Sequence, residues 1–168
     1  MKIDRPKIKV PYEQVDVLCE LLNITLLLLI WIYTIYSFSD LPDEIPTHFN
    51  GAGEADDFGG KATIWIVPII ATFMFLLMFI LNRFPHLHNY MVNITEENAL
   101  KNYRLSTRMV RFINLYCLAL FAAIIFEIIA VAKGNAITLF NTGFLVITII
   151  VPIIIIAVSF YYYNKINK

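Results

Sequence analysis

The chain has 168 residues, with 13 Lys+Arg balanced by 13 Asp+Glu, 59% hydrophobic and only 15% charged, and its mean hydropathy is +0.69. Soluble domains carry roughly 45–50% apolar and about 25% charged residues. This composition therefore excludes an ordinary soluble domain, a disordered chain and a basic nucleic-acid binder. The apolar excess calls for lipid, and the chain reads as an all-α, polytopic membrane protein forming one membrane domain over residues 1–168.

Four apolar stretches are long enough to cross about 30 Å of hydrocarbon as helices: residues 20–39, 63–81, 112–132 and 142–163. They pair as two helical hairpins joined by a polar loop over 82–111. Lys2, Arg5, Lys7 and Lys9 precede the first stretch. Arg83, Lys101, Arg104, Arg108 and Arg111 separate the second from the third, and Lys165 and Lys168 follow the fourth. The other two connections hold only Lys61 and Lys133. An excess of Lys and Arg marks the cytoplasmic side, so both termini are expected in the cytoplasm, with a longer outside loop over 40–62 and a short one over 133–141. A cleaved signal peptide is the competing reading of the first stretch, suggested by Ser37-Phe38-Ser39. The apolar run is longer than a signal core of about 7–15 residues, and Asp4, Glu13, Asp16 and Glu20 accompany the bases before it, which disfavours cleavage.

Trp31, Trp65 and the run Tyr161 to Tyr163 fit anchoring at or near the headgroups. Cys19, at the edge of the first stretch, and Cys117, within the third, lack a spacing motif and read as packing residues, not as a disulfide or a zinc site. Ile66-Val67-Pro68-Ile69-Ile70 and Ile150-Val151-Pro152-Ile153-Ile154 repeat a pattern, and Asn82-Arg83 is echoed by Asn164-Lys165. This is a weak internal duplication that predicts a matched kink at the two prolines. In the polar loop, Thr95 followed by Glu96 and Glu97 predicts a helix start. Arg104, Arg108 and Arg111 on that helix are expected to meet anionic headgroups. His86 and His88 lack a third nearby ligand, so no metal is assigned to them.

The outside loop differs from everything around it. Asp40, Asp43, Glu44, Glu54, Asp56 and Asp57 oppose Lys61 alone, and Pro42, Pro46, Gly51, Gly53, Gly59 and Gly60 punctuate it. Such residues specify turns, which predicts a compact shaped loop. Residues 45–49 read as a short extended piece closed by a tight turn at Asn50-Gly51, forming a small strand or hairpin on the membrane surface. His48 and the carboxylates have three available roles: holding a divalent cation, acid-base chemistry, or holding the loop's shape by hydrogen bonds and ion pairs. The spacing does not match an EF-hand, no catalytic motif accompanies His48, and the shape role is the default.

The order Pro42-Asp43, Ile45-Pro46, His48, Asn50, Gly53, Asp56 and Lys61, between one span and another containing Pro68, resembles the signature of an uncharacterised membrane-domain family (domain of unknown function 1648) that includes the SdpI-like bacterial immunity proteins. The likeness covers roughly the first half of the chain. It implies a bacterial cell-membrane protein that protects against a secreted toxic peptide arriving outside and passes its presence to a repressor at the cytoplasmic face. By that resemblance Pro42, Asp43, Pro46, His48, Asn50, Gly53, Asp56 and Lys61 shape the recognition surface.

Glu127 is an ionisable residue inside the third span. Burying an acid at a helix centre costs roughly 2.5–3.5 kcal/mol on insertion scales, so it should face the bundle, as a proton or cation site or as an anchor for the outside loop. The function expected is a non-enzymatic membrane immunity and sensing protein with no cofactor, no bound metal and no direct contact with nucleic acid. The first alternative is a small ion- or proton-coupled transporter or transporter subunit with Glu127 in the pathway. A membrane-embedded hydrolase using His48 is a distant third.

Overall fold

The computed structural model describes residues 5–135 and 139–168. Lys2 and the middle of the short loop expected over 133–141 lie outside the described residues. Four helices are long and apolar enough to cross a membrane: α1 (Gln14–Phe38), α2 (Ile66–Leu81), α3 (Glu96–Ala132) and α4 (Thr142–Ile166). Between α1 and α2 lie two short strands, β1 (Glu44–Phe49) and β2 (Ala55–Gly60), and a 3-10 turn over Lys61–Trp65 leads into α2. The chain is thus a helical, multi-pass membrane protein with one small antiparallel sheet.

The helix ends follow from local chemistry more than from hydropathy. α1 starts within the acidic segment ahead of the apolar run, because the Asp16 carboxylate accepts the Glu13 amide at 3.0 Å and satisfies a donor of the first turn. Thr95 caps α3, with Asn98 Oδ1 accepting the Thr95 amide at 2.9 Å. From there α3 runs unbroken for 37 residues, about 55 Å at the usual rise. The helix expected in the polar loop and the third span are therefore one rod that outlasts the bilayer.

The matched kink does not hold. Pro68 sits in the first turn of α2, where backbone donors have no partner within the helix, so it interrupts nothing. Pro152 is interior to α4. Packing breaks the duplication as well: Pro68 is buried, whereas α4 has no buried residue and leans chiefly on α3.

The main seam joins α1 to α3, which run parallel. At the end away from the strands, Glu13, Asp16 and Glu20 face Arg104, Arg108 and Arg111 in register. Arg104 meets Glu13 at 2.9 Å, Arg108 bridges Glu13 at 2.8 Å and Asp16 at 3.1 Å, and Arg111 bridges Glu20 at 2.9 Å and Asp16 at 3.4 Å. The Asp16 and Arg111 side chains are only 2% and 6% exposed, so this charge is compensated inside the protein. That corrects one expectation: the three arginines are committed to the carboxylates of Glu13, Asp16 and Glu20 instead of headgroups. Further along the seam, Asn23 donates to the Cys19 carbonyl at 2.9 Å and to the Arg111 carbonyl at 3.4 Å. Ile30, Leu118, Ile125 and Ile129 then form a dry stretch with Phe75 of α2. Cys19 and Cys117 are both free thiols.

The tryptophans also differ from simple anchors. Trp31 Nε1 donates to Thr72 Oγ1 at 2.9 Å, and the Trp31 and Trp65 rings lie 6.2 Å apart, so they lock α1 to α2. At the arginine end, residues 5–12 and 82–95 fold against the start of α3. Arg5 donates to the His86 and His88 carbonyls at 3.0 and 2.5 Å, and Tyr103 donates to the Pro6 carbonyl at 2.9 Å. His88 is held between the Leu81 carbonyl at 3.1 Å and Ser106 Oγ at 2.5 Å. Burial pushes its imidazole below the ordinary range, with His86 adding to the effect, while burial pushes the Tyr90 phenol up to about 12.

Two outcomes are expected. Removing one partner of a buried pair strands the other, at a cost of about 3–5 kcal/mol. Arg111→Ala should therefore unfold much earlier than Arg104→Ala in a denaturant titration of the purified protein, since the more exposed Arg104 pair is worth about 1 kcal/mol or less. For His88, the unfolded chain binds the extra proton below its pKa of about 6.5 while the fold resists it. Stability is thus present above that pH and lost as pH falls toward the lower folded value. The protection of amides over residues 85–92, relative to their intrinsic exchange at each pH, should fall between about pH 7 and 5 in the wild type and change less in His88→Gln.

Candidate functional site

The loop between α1 and α2 folds into an antiparallel hairpin set on the end of the bundle. Its register pairs Glu44 with Gly60, Ile45 with Gly59, Pro46 with Phe58, His48 with Asp57 and Phe49 with Ala55, with irregularities on both sides of His48. Proline is tolerated in a sheet at bulges and edges, which is where Pro46 lies. The base of the hairpin is closed by the Lys61 amide donating to the Asp43 carbonyl at 2.9 Å. The tip contains the tight turn expected at Asn50-Gly51, the Gly53 amide donating to the Asn50 carbonyl at 2.9 Å. Asn50 also spans the whole loop, its amide donating to the Glu54 carbonyl at 2.8 Å and its Oδ1 accepting the Ala52 and Glu54 amides at 2.9 and 3.0 Å. Gly53, at φ +83°, takes the left-handed position.

Three contacts fasten this hairpin to the bundle. Ile45, 1% exposed, enters the core with Leu41 and Ile64 beside the upper turns of α3. Phe49 meets Phe140 edge to face at 4.9 Å. Gly53 lies against the backbone of Phe140 so closely that an added Cβ would come within 1.8 Å of the Phe140 carbonyl oxygen. The residue is glycine for two independent reasons, dihedral and space.

The polar residues then face outward. His48 Nδ1 and Asp56 Oδ1 are 2.5 Å apart, with side chains 65% and 45% exposed. Lys61 meets Asp43 at 3.5 Å, and Lys133, at the end of α3, meets Asp40 at 3.6 Å. Glu54 accepts from the Asn50 side chain at 3.1 Å and Asp57 from Thr47 at 3.4 Å. Pro42 is exposed in the connection from α1. Exposed pairs of this kind add little stability, typically 0–1 kcal/mol, so the acidic surface is carried by a scaffold held elsewhere. Among the described residues no group of three or more His, Cys, Asp or Glu is placed to hold a metal ion.

Glu127 is fully buried. Its Oε1 accepts the Leu139 amide at 3.1 Å, and its Oε2 has no partner among the described residues. It therefore holds the α3–α4 connection, in which Phe140 is the neighbour on which Phe49 and Gly53 rest. The residues singled out from sequence fall into two groups: His48 with Asp56, and Asp43 with Lys61, meet in the hairpin, while Glu127 lies beneath. Sequence reasoning missed Phe49, Phe140 and the Asp40–Lys133 tie. Two phenylalanines in an aromatic-rich chain carry no distinguishing signal, and the ion pair joins two different connections.

The arrangement is that of a membrane helical bundle capped by a structured acidic hairpin. Residues 25–72, from within α1 through the hairpin into α2, match the model of a domain of unknown function (DUF1648). An uncharacterised protein of Archaeoglobus fulgidus is similar, 34% identical over 76 residues, which is 40% of this chain and 42% of that protein. The match thus spans less than half of that relative's length. No solved structure matches the chain. The matched segment holds every hairpin residue named above but not α3 or Phe140, the surfaces on which the hairpin is seated.

Gly53→Ala should unseat the tip. The left-handed conformation alone costs a non-glycine residue roughly 1–2 kcal/mol, and the methyl collides with Phe140. Limited proteolysis should cut residues 50–54 faster in this variant, while Gly51→Ala, with nothing within 4 Å of its added carbon, should behave as wild type.

Proposed function

We propose that this chain is a non-enzymatic membrane protein of the immunity and sensing type, which recognises a peptide at the hairpin face. The observation that carries the reading is the division of labour in the hairpin. Ile45, Phe49 and Gly53 are spent on seating it, while Asp43, His48, Asp56 and Asp57 are displayed to solvent. A loop held this firmly with its charge outward is a preformed surface, which binds without first being ordered. Its acidic balance suits a cationic peptide. The excess of Lys and Arg at the opposite end supports an orientation with both termini in the cytoplasm and the hairpin outside the cell membrane. That orientation would turn the segments packed over the start of α3, residues 5–12 and 82–95, toward a cytoplasmic repressor.

A second reading rests on Glu127. A fully buried carboxylate with one oxygen unpartnered among the described residues suits a small proton- or ion-coupled transporter, since intramembrane acids mark such pathways.

The test is survival of a deletion strain challenged with supernatant from toxin-producing sibling cells, complemented at matched membrane abundance. Deletion should sensitise the cells, and wild type should restore protection. His48→Ala should weaken recognition by up to about fivefold, the equivalent of roughly 1 kcal/mol for an exposed pair, and double replacement of Asp56 and Asp57 by Asn should weaken it further. A deletion indifferent to every supernatant, together with ion flux in proteoliposomes that disappears in Glu127→Gln, would replace this reading with the transport one.

A further inference from the structure

α4 is attached to α3 at two polar points, with an open seam between them. Near the strand end, the Tyr116 hydroxyl donates to the Thr148 carbonyl at 2.5 Å. At the opposite end, the Asn102 and Asn167 side chains exchange hydrogen bonds of 3.1 and 2.9 Å, and Lys101 caps the Ile166 carbonyl. Between these clamps a cleft of about 190 Å³ runs along the α3–α4 contact, lined by Leu105, Met109, Ile156 and Phe160, with Ser159 on its wall and Tyr90 and Met91 beside it. A second cleft, of about 240 Å³, continues past Met109 and Ser159 toward Phe112 and Ile155. No residue of α4 is buried by protein.

The mouth of this seam has the opposite chemistry. Beyond Tyr163, which lines both regions, it widens into a space of about 580 Å³ bordered by Asn164, Lys165, Asn167 and Lys168. Arg104, Arg108 and Arg111 are neutralised by α1, and Lys101 is used on the helix end. Lys165 and Lys168 are exposed and have no ion pair among the described residues. At the junction, the buried Tyr163 hydroxyl has no hydrogen-bond partner among the described residues. An apolar throat, an unused hydroxyl at its neck and two uncommitted cations at its rim form an amphipathic receptor.

We propose that the α3–α4 seam is a binding site for an anionic phospholipid. One acyl chain fills the throat against Met109 and Phe160, the Tyr163 hydroxyl donates to the glycerol-ester region, and the phosphate lies at Lys165 and Lys168. Charge complementarity selects this occupant over a neutral lipid. It also selects it over a second copy of the chain, whose rim would bring the same cations. The lipid completes the seam that protein leaves open and holds α4 against the bundle. This inference does not depend on what the hairpin recognises.

Native mass spectrometry of the full chain in detergent, titrated with phosphatidylglycerol or with phosphatidylcholine of the same acyl chains, tests it. Wild type should retain phosphatidylglycerol preferentially. Lys165→Gln with Lys168→Gln should lose that preference by about 30-fold, the usual strength of two lysines at an anionic surface. Both side chains are exposed, so the fold is kept. Ser159→Phe, which fills the throat wall, should weaken retention of both lipids, with circular dichroism confirming its helix content. Equal retention of the two lipids by wild type, or an undiminished preference in the double lysine variant, would overturn the proposal. So would full retention by Ser159→Phe, displacement of the lipid by glycerol 3-phosphate, or a dimer that excludes lipid.

Discussion

The pairing of Asp16 with Arg111 is the constraint on which the rest of the architecture depends. Two charges almost wholly removed from solvent are tolerable only opposite each other, and the flanking Glu13, Glu20 and Arg108 extend the match along parallel helices. A helix shifted by one turn would strand them, so the ladder sets the register of α1 against α3. That register brings Tyr33 over Phe126 at 6.0 Å near the other end. It leaves Ile30, Leu118 and Ile125 to close the middle of the seam without polar groups. In a bilayer, where lipid is as apolar as the side chains, such polar specificity is what distinguishes one helix pairing from another.

α3 is the element that converts this register into a site. Its length carries it from the arginine ladder to Glu127 and Lys133, and its upper turns support β1. Glu127 holds the connection to α4, Phe140 of that connection receives Phe49 and Gly53, and Lys133 reaches Asp40. The hairpin is therefore fastened to a part of the chain far from it in sequence, and its displayed acids inherit their positions from that seating. The matched domain segment over residues 25–72 supplies the hairpin, and the second half supplies its support.

α4 stands apart from this logic. It is joined to α3 by side-chain clamps near its two ends, with an apolar space between them. The bundle thus consists of three helices interlocked by charge, aromatic rings and the hairpin, and a fourth completed by its surroundings.

By itself the sequence determined the membrane-crossing character of four helices, the shaped and acidic nature of the loop between the first two, and the helix start at Thr95, because hydropathy, turn residues and caps act over a few neighbouring positions. It also held, unread, the same seven-residue span from Glu13 through Asp16 to Glu20 and from Arg104 through Arg108 to Arg111. The sign of those charges was plain, but without knowledge of which helices touch, lipid headgroups were as good a partner as carboxylates. Only the tertiary structure decided that pairing. It also decided that Pro68 falls at a helix start and not in a kink, that Trp31 binds Thr72, and that Gly53 is required by Phe140. Each of these depends on contacts between residues distant along the chain, and burial, which sets the cost of every unpaired charge and every added carbon, exists only once those contacts are made.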